Sequence, residues 1–154
     1  MPAGYAGAMI QWLAIALFVV LQAIADLHAA WGLGWRWPYD SEAGLAKAVI
    51  GTPSVTRMPT LAACLVVAGL LAVVSLWPLF ASGLLTAPWP AWLTQLAGAG
   101  LASVFVGRGI AGYLPAWRSR FSEQPFADLD QRYYAPLCFA IGTGILVILL
   151  QGIP

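Results

Sequence analysis

Charge is what this sequence has least of. Seven Lys and Arg, six Asp and Glu and one His leave 8% of its 154 residues charged, where a soluble domain carries about 25%. So few charged groups cannot cover the surface of a soluble domain of this length, and 61% apolar content excludes intrinsic disorder. A formal net charge of +1 leaves no basic footprint for nucleic acid. Cysteine is also scarce, at two residues, with no Cys-x-x-Cys and hence no signature of thiol redox work. No glycine-rich phosphate cradle or metal-ligand motif appears. No Lys or Arg occurs from Met1 to Ile10, so the positive leader of a secretory signal is missing and the first apolar run is expected to stay as a span.

What is present is long apolar runs. A bilayer core needs roughly 20 apolar residues per helix, and four stretches qualify: 8–32, 61–80, 91–114 and 137–153. Runs such as Gly144 to Leu150 do not alternate apolar with polar, which rejects a membrane barrel. The expected fold is therefore all-α: one transmembrane domain over residues 1–154, a four-helix bundle with short interfacial helices in its two polar connections. Ala99, Ser103, Gly107 and Ala111 recur every fourth residue, and Ala140 and Gly144 repeat the spacing, a helix-packing signal.

The scarce charges are not scattered. Arg36, Lys47 and Arg57 lie between spans one and two; Arg118, Arg120 and Arg132 lie between spans three and four, and Arg108 sits at the adjacent end of span three. Asp26, Asp40, Glu42, Glu123, Asp128 and Asp130 fall at the same end. The positive-inside rule then puts both connections in the cytoplasm and both termini outside.

In the first connection, Trp31, Trp35 and Trp37 suit the headgroup level, and Asp40-Ser41-Glu42 opens a short helix that Gly51 ends. Its apolar side, formed by Leu45, Val49 and Ile50, is expected to lie along the membrane surface. In the second, Phe126, Leu129 and Tyr133 share one helical face.

Ionisable groups inside a membrane cost about 2.5–3.5 kcal/mol each at mid-bilayer, which makes each a candidate for function. Topology brings Asp26 and Arg108 to one face, where they can pair. Gln11, Gln22 and Asp26 align as a stripe expected to face the bundle, whereas His28 lies about 200° around from Asp26 and aligns with Trp31 and Trp35. His28 with Asp26 and the two Cys is a minor soft-metal reading beside that of buried Cys as small apolar filler; no metal and no cofactor is expected.

Two blocks carry a resemblance. His28-Ala-Ala-Trp31-Gly32-Leu-Gly34 and Phe126-Ala-Asp-Leu129-Asp130-Gln-Arg132-Tyr133-Tyr134-Ala-Pro136-Leu137-Cys138 resemble the signature of small bacterial four-span membrane proteins of domain-of-unknown-function family 3995. That resemblance implies a four-helix membrane protein and brings no activity with it. It draws attention to His28, Trp31, Asp130, Tyr133 and Tyr134.

The candidate residues are thus Asp26, His28, Trp31, Arg108, Asp128, Asp130, Tyr133 and Tyr134. Their first reading is a binding site for a lipid or amphipathic ligand, or for a partner membrane protein or a second copy, at the polar end. An enzyme acting on a lipid-soluble substrate is the second, with Asp26 or Asp130 as base, Arg108 as anion clamp and His28 or Tyr133 as proton donor. A small oligomeric transporter is the third. It is disfavoured because Ser75 and Thr143 are the only polar mid-membrane residues of their spans.

Overall fold

The computed structural model describes residues 3–151, and these form helices and turns with no strand among them. The helices are α1 (Ala3–Gly32), α2 (Glu42–Val49), α3 (Leu61–Ala81), α4 (Ala91–Ala111), α5 (Pro115–Arg120), α6 (Phe126–Leu129) and α7 (Ala135–Leu150), with a π-helical turn, Asp130–Tyr134, joining α6 to α7. Three helical stretches are long and apolar enough to cross a membrane: Gly7–Gly32, Leu61–Ala81 and Phe126–Leu150. The chain is therefore an all-helical protein built for membrane insertion. Helix α4 matches α3 in length, but Gln95, Arg108 and its glycines dilute its apolar character, and it is not among the three.

The helices pair as two hairpins, α1 with α3 and α4 with α7. Within α1 the buried positions are Ile10, Ala14, Leu17, Leu21 and Ala25, steps of three and four that set one stripe against the neighbours. Leu17 meets Gly144 of α7, and Trp77 of α3 fills the space above Gly98 of α4, so the two hairpins share a core with Ile141, Ile145 and Ile148. Trp77 is held there by donating from Nε1 to the Thr94 carbonyl at 2.8 Å. Elsewhere α3 and α4 diverge around an apolar groove of about 610 Å³ lined by Val73, Leu76, Phe80 and Leu101 among others.

Two packing expectations are corrected. In α4 the buried row is Thr94, Gly98, Ala102 and Gly109, while Ala99, Ser103 and Gly107 are exposed. Small residues surround α4 on several sides, so spacing alone did not single out the row that packs. In α1, Gln11 and Asp26 are exposed and Gln22 is half-buried at the edge of the α3 contact, where its side-chain oxygen accepts from Ser75 Oγ at 3.3 Å. The polar stripe borders the interface; the apolar stripe occupies it.

Candidate functional site

The two polar connections meet at one end of the molecule and are built to fit each other. In the first, Ser41 caps α2 as the Asp40-Ser41-Glu42 run predicts, its Oγ accepting from the Gly44 amide at 3.1 Å. Leu45, Ala46 and Ala48 are buried, with Val49 and Ile50 only half-buried. After α2 the chain turns at Gly51, whose φ of +76° belongs to the left-handed region. A side chain there would have to start 2.2 Å from the Phe126 ring. The absence of one lets the Phe126 ring of the second connection approach the backbone of the first.

Glu123 ties the same two segments. Its carboxylate accepts from the Ser54 amide at 2.9 Å and pairs with Lys47 at 3.2 Å, while its own amide donates to the Gly51 carbonyl at 3.1 Å. The Ser54 amide first, and Lys47 second, hold its carboxyl below the usual carboxylate range. A group whose pKa is lowered by folding stabilises the fold at pH above its unfolded value and loses that contribution as pH falls through the lowered one. The thermal midpoint of the detergent-solubilised protein is therefore expected to drop on acidification below the ordinary Glu range. Glu123→Gln should flatten that portion of the profile; an unchanged profile would show that Glu123 does not contribute.

Behind this clasp lies the ion pair. Arg108, in the last turn of α4, pairs with Asp130 at the start of the π-helical turn; Asp130 is 2% exposed. The second Asp130 oxygen accepts from Trp117 Nε1 at 3.0 Å, and the guanidinium lies 4.4 Å from the centre of the same indole. One Arg108 nitrogen, Nη1, is buried with no hydrogen-bond partner among the described residues. Gly112 permits this closeness: a Cβ there would stand 2.6 Å from that of Ala135 and 3.1 Å from Asp130 Oδ2. From Trp117 a run of contacting rings leads through Phe121 and Phe126 to Tyr134, whose hydroxyl donates to the Ala48 carbonyl at 3.1 Å. Both Asp130 oxygens and the Trp117 indole nitrogen find partners within this group, and Arg108 Nη1 does not. It fixes α4, α7 and both connections against one another.

The expected Asp26–Arg108 pair is accordingly not formed. Asp26 accepts from Gln22 Nε2 at 2.9 Å on α1, and Arg108 takes its carboxylate from Asp130, just ahead of the α7 arm of its own hairpin. Of the two candidate bases of the enzyme reading, Asp130 lies beside Arg108 and Asp26 does not pair with it. The predicted Phe126, Leu129 and Tyr133 face is corrected as well. Tyr133 is 61% exposed, and Phe126, Asp130 and Tyr134 point inward instead. The π-helical turn is the cause: the Ala135 amide donates to Asp130, five residues back, and this wider turn shifts the register. Asp128 stays at the surface, accepting from Gln124 at 3.3 Å.

His28 and Trp31 form a second centre, on the α1–α3 side. His28 Nδ1 lies 2.7 Å from the Ile24 carbonyl, and its ring centre is 5.5 Å from that of Trp31, tilted by 55°. Trp31 is fixed by donating from Nε1 to the Trp37 carbonyl at 3.0 Å. These two side chains line a mostly apolar cavity of about 210 Å³ with Val49, Ile50, Cys64 and Val67. Against it lies a more polar cavity of about 190 Å³ bordered by Trp35, Arg36 and Glu42. Both are lined by Trp31, Met58 and Pro59. Sequence reasoning found His28 and Trp31 but missed Met58, Arg36 and Trp117, whose roles depend on how the connections fold back. Cys64 and Cys138 are unpaired, and among the described residues no cluster of three or more His, Cys, Asp or Glu is placed to hold a metal.

Residues 18–145 match a family model described as a protein of unknown function, DUF3995. No curated protein and no solved structure matches the chain.

Proposed function

This chain belongs to the DUF3995 family, and from that premise and the geometry above we propose that it is a membrane-embedded binding protein for an amphipathic molecule. The observation that carries the reading is the pair of abutting cavities sharing Trp31, Met58 and Pro59, one mostly apolar around His28 and one polar around Arg36 and Glu42. An amphiphile needs that arrangement: a polar recess for its head beside an apolar recess for its body. Ala63 and Val67, on the apolar rim, are exposed, so the body can enter sideways from lipid. The Arg108–Asp130–Trp117 group supports the site by holding the connections together.

In this reading α4 is a fourth crossing, its one charge, in the last turn, neutralised by Asp130. The polar end faces the cytoplasm of a bacterial inner membrane, with both termini outside, in keeping with all seven Lys and Arg lying at that end.

Native mass spectrometry of protein released gently from its own membranes tests the reading. An amphiphile is expected to travel with the protein. Ala63→Trp, which fills the apolar recess from its exposed rim, and Arg36→Gln, which removes the cationic group of the polar one, should each lower occupancy about tenfold, the equivalent of 1.4 kcal/mol. Bare protein, or an adduct indifferent to both substitutions, would overturn the proposal.

A further inference from the structure

We infer that the apolar recess takes a flat ring bearing a hydroxyl donor, a phenol or hydroquinone, whose apolar tail leaves toward the lipid. The inference rests on the amphiphile-binding reading and adds the class of ligand. It begins with the imidazole of His28. A carbonyl oxygen only accepts hydrogen bonds, so the 2.7 Å contact between Nδ1 and the Ile24 carbonyl places the proton on Nδ1. In the neutral ring Nε2 is then a lone-pair acceptor, and it has no hydrogen bond among the described residues. His28 belongs to the lining of the cavity, so a ligand that donates there satisfies a group the protein leaves open.

The rest of the lining narrows the choice. Val49, Ile50, Ala63 and Val67 offer no counter-charge, and a charged head would lose its hydration without return. The space of about 210 Å³ falls below the roughly 300–1,000 Å³ of pockets for drug-sized ligands, which suits one substituted ring and excludes a folded two-chain lipid. Trp31, tilted by 55° to His28 with ring centres 5.5 Å apart, makes the corner in which a flat ring can stack on one face and donate at its edge. Further polar substituents would point past Met58 and Pro59 into the recess of Arg36 and Glu42.

The test compares three decyl-tailed probes in nanodiscs of zwitterionic phospholipid: a hydroquinone, its quinone and its dimethyl ether. Calorimetric titration is expected to show the hydroquinone binding at least about tenfold more tightly than the quinone or ether, which lack donors. His28→Ala should abolish that preference, and His28→Gln, whose amide oxygen can accept, should restore part of it. Equal affinities for the three probes in the wild type would overturn the inference without need of any variant. If no probe binds while the co-purifying amphiphile still responds to Ala63→Trp, this inference fails and the broader one stands. If Ala63→Trp leaves both probe and amphiphile unchanged, the broader reading fails with it.

Discussion

Replacing Asp130 with alanine is expected to cost about 3 kcal/mol of stability, the low end of the range for removing one partner from a buried ion pair. The low end applies because the Arg108 side chain keeps 26% of its surface accessible, so the stranded cation regains some solvent. The change also leaves the Trp117 indole without its acceptor and removes what holds the guanidinium beside that ring. A double replacement, Arg108→Met with Asp130→Leu, removes both charges at similar volume and should recover most of the loss, since apolar substitutes for buried pairs are often neutral or stabilising. Asp26→Asn, by contrast, alters only an exposed bond to Gln22 and should change stability by less than about 0.5 kcal/mol. Reversible unfolding in mixed detergent micelles measures all three. A cycle in which Arg108 couples to Asp26 and not to Asp130 would contradict the pairing.

A comparable loss is expected from Gly51→Val. Two costs add at this position. A β-branched residue is strained at a φ of +76°, and its Cβ would begin 2.2 Å from the Phe126 ring. Relieving that overlap means lifting Phe126 off the first connection, which also strains the Glu123 and Tyr134 hydrogen bonds beside it. The combined effect is roughly 2–4 kcal/mol, from a left-handed non-glycine residue and an overpacked contact together. Phe126→Ala in the Gly51→Val background should relieve the overlap, giving a double variant more stable than the sum of the two single losses. Strict additivity, read from the same unfolding measurement, would show that the ring and the glycine do not act as one contact.

Much of the architecture was legible in the chain because it follows from local composition. Apolar length marked the three helices long and apolar enough to cross a membrane, though it also counted α4 as a fourth, while Ser41 marked the start of α2 and the segregated charges marked the polar end where both connections meet. What was not legible is which helix stands beside which. Asp26 and Arg108 both fall toward the polar-end termini of their spans in the sequence, yet α1 packs on α3 while α4 packs on α7, and position along the span carries no information about that choice. Helix α4 shows the same difficulty in its faces. In a lipid environment apolarity does not distinguish inside from outside, and with small residues at Ala99, Ser103 and Gly107 as well as at Gly98, Ala102 and Gly109, spacing fits either row. The register of the second connection depended on one π-helical turn, which has no marker in residue type. Of the candidate site, His28 and Trp31 could be read from four-residue and three-residue neighbourhoods; the cavities around them could not, because Met58 and Pro59 arrive from a connector that folds back about thirty residues later.

A density map of the protein purified in its native lipids would show whether the paired recesses at the polar end hold an amphiphile. Continuous non-protein density is expected past Trp31 and Met58, with its polar end beside Arg36 and its body against His28 and Val67. Recesses free of density, or filled by rearranged side chains while ordered lipid lies only along the groove between α3 and α4, would contradict it.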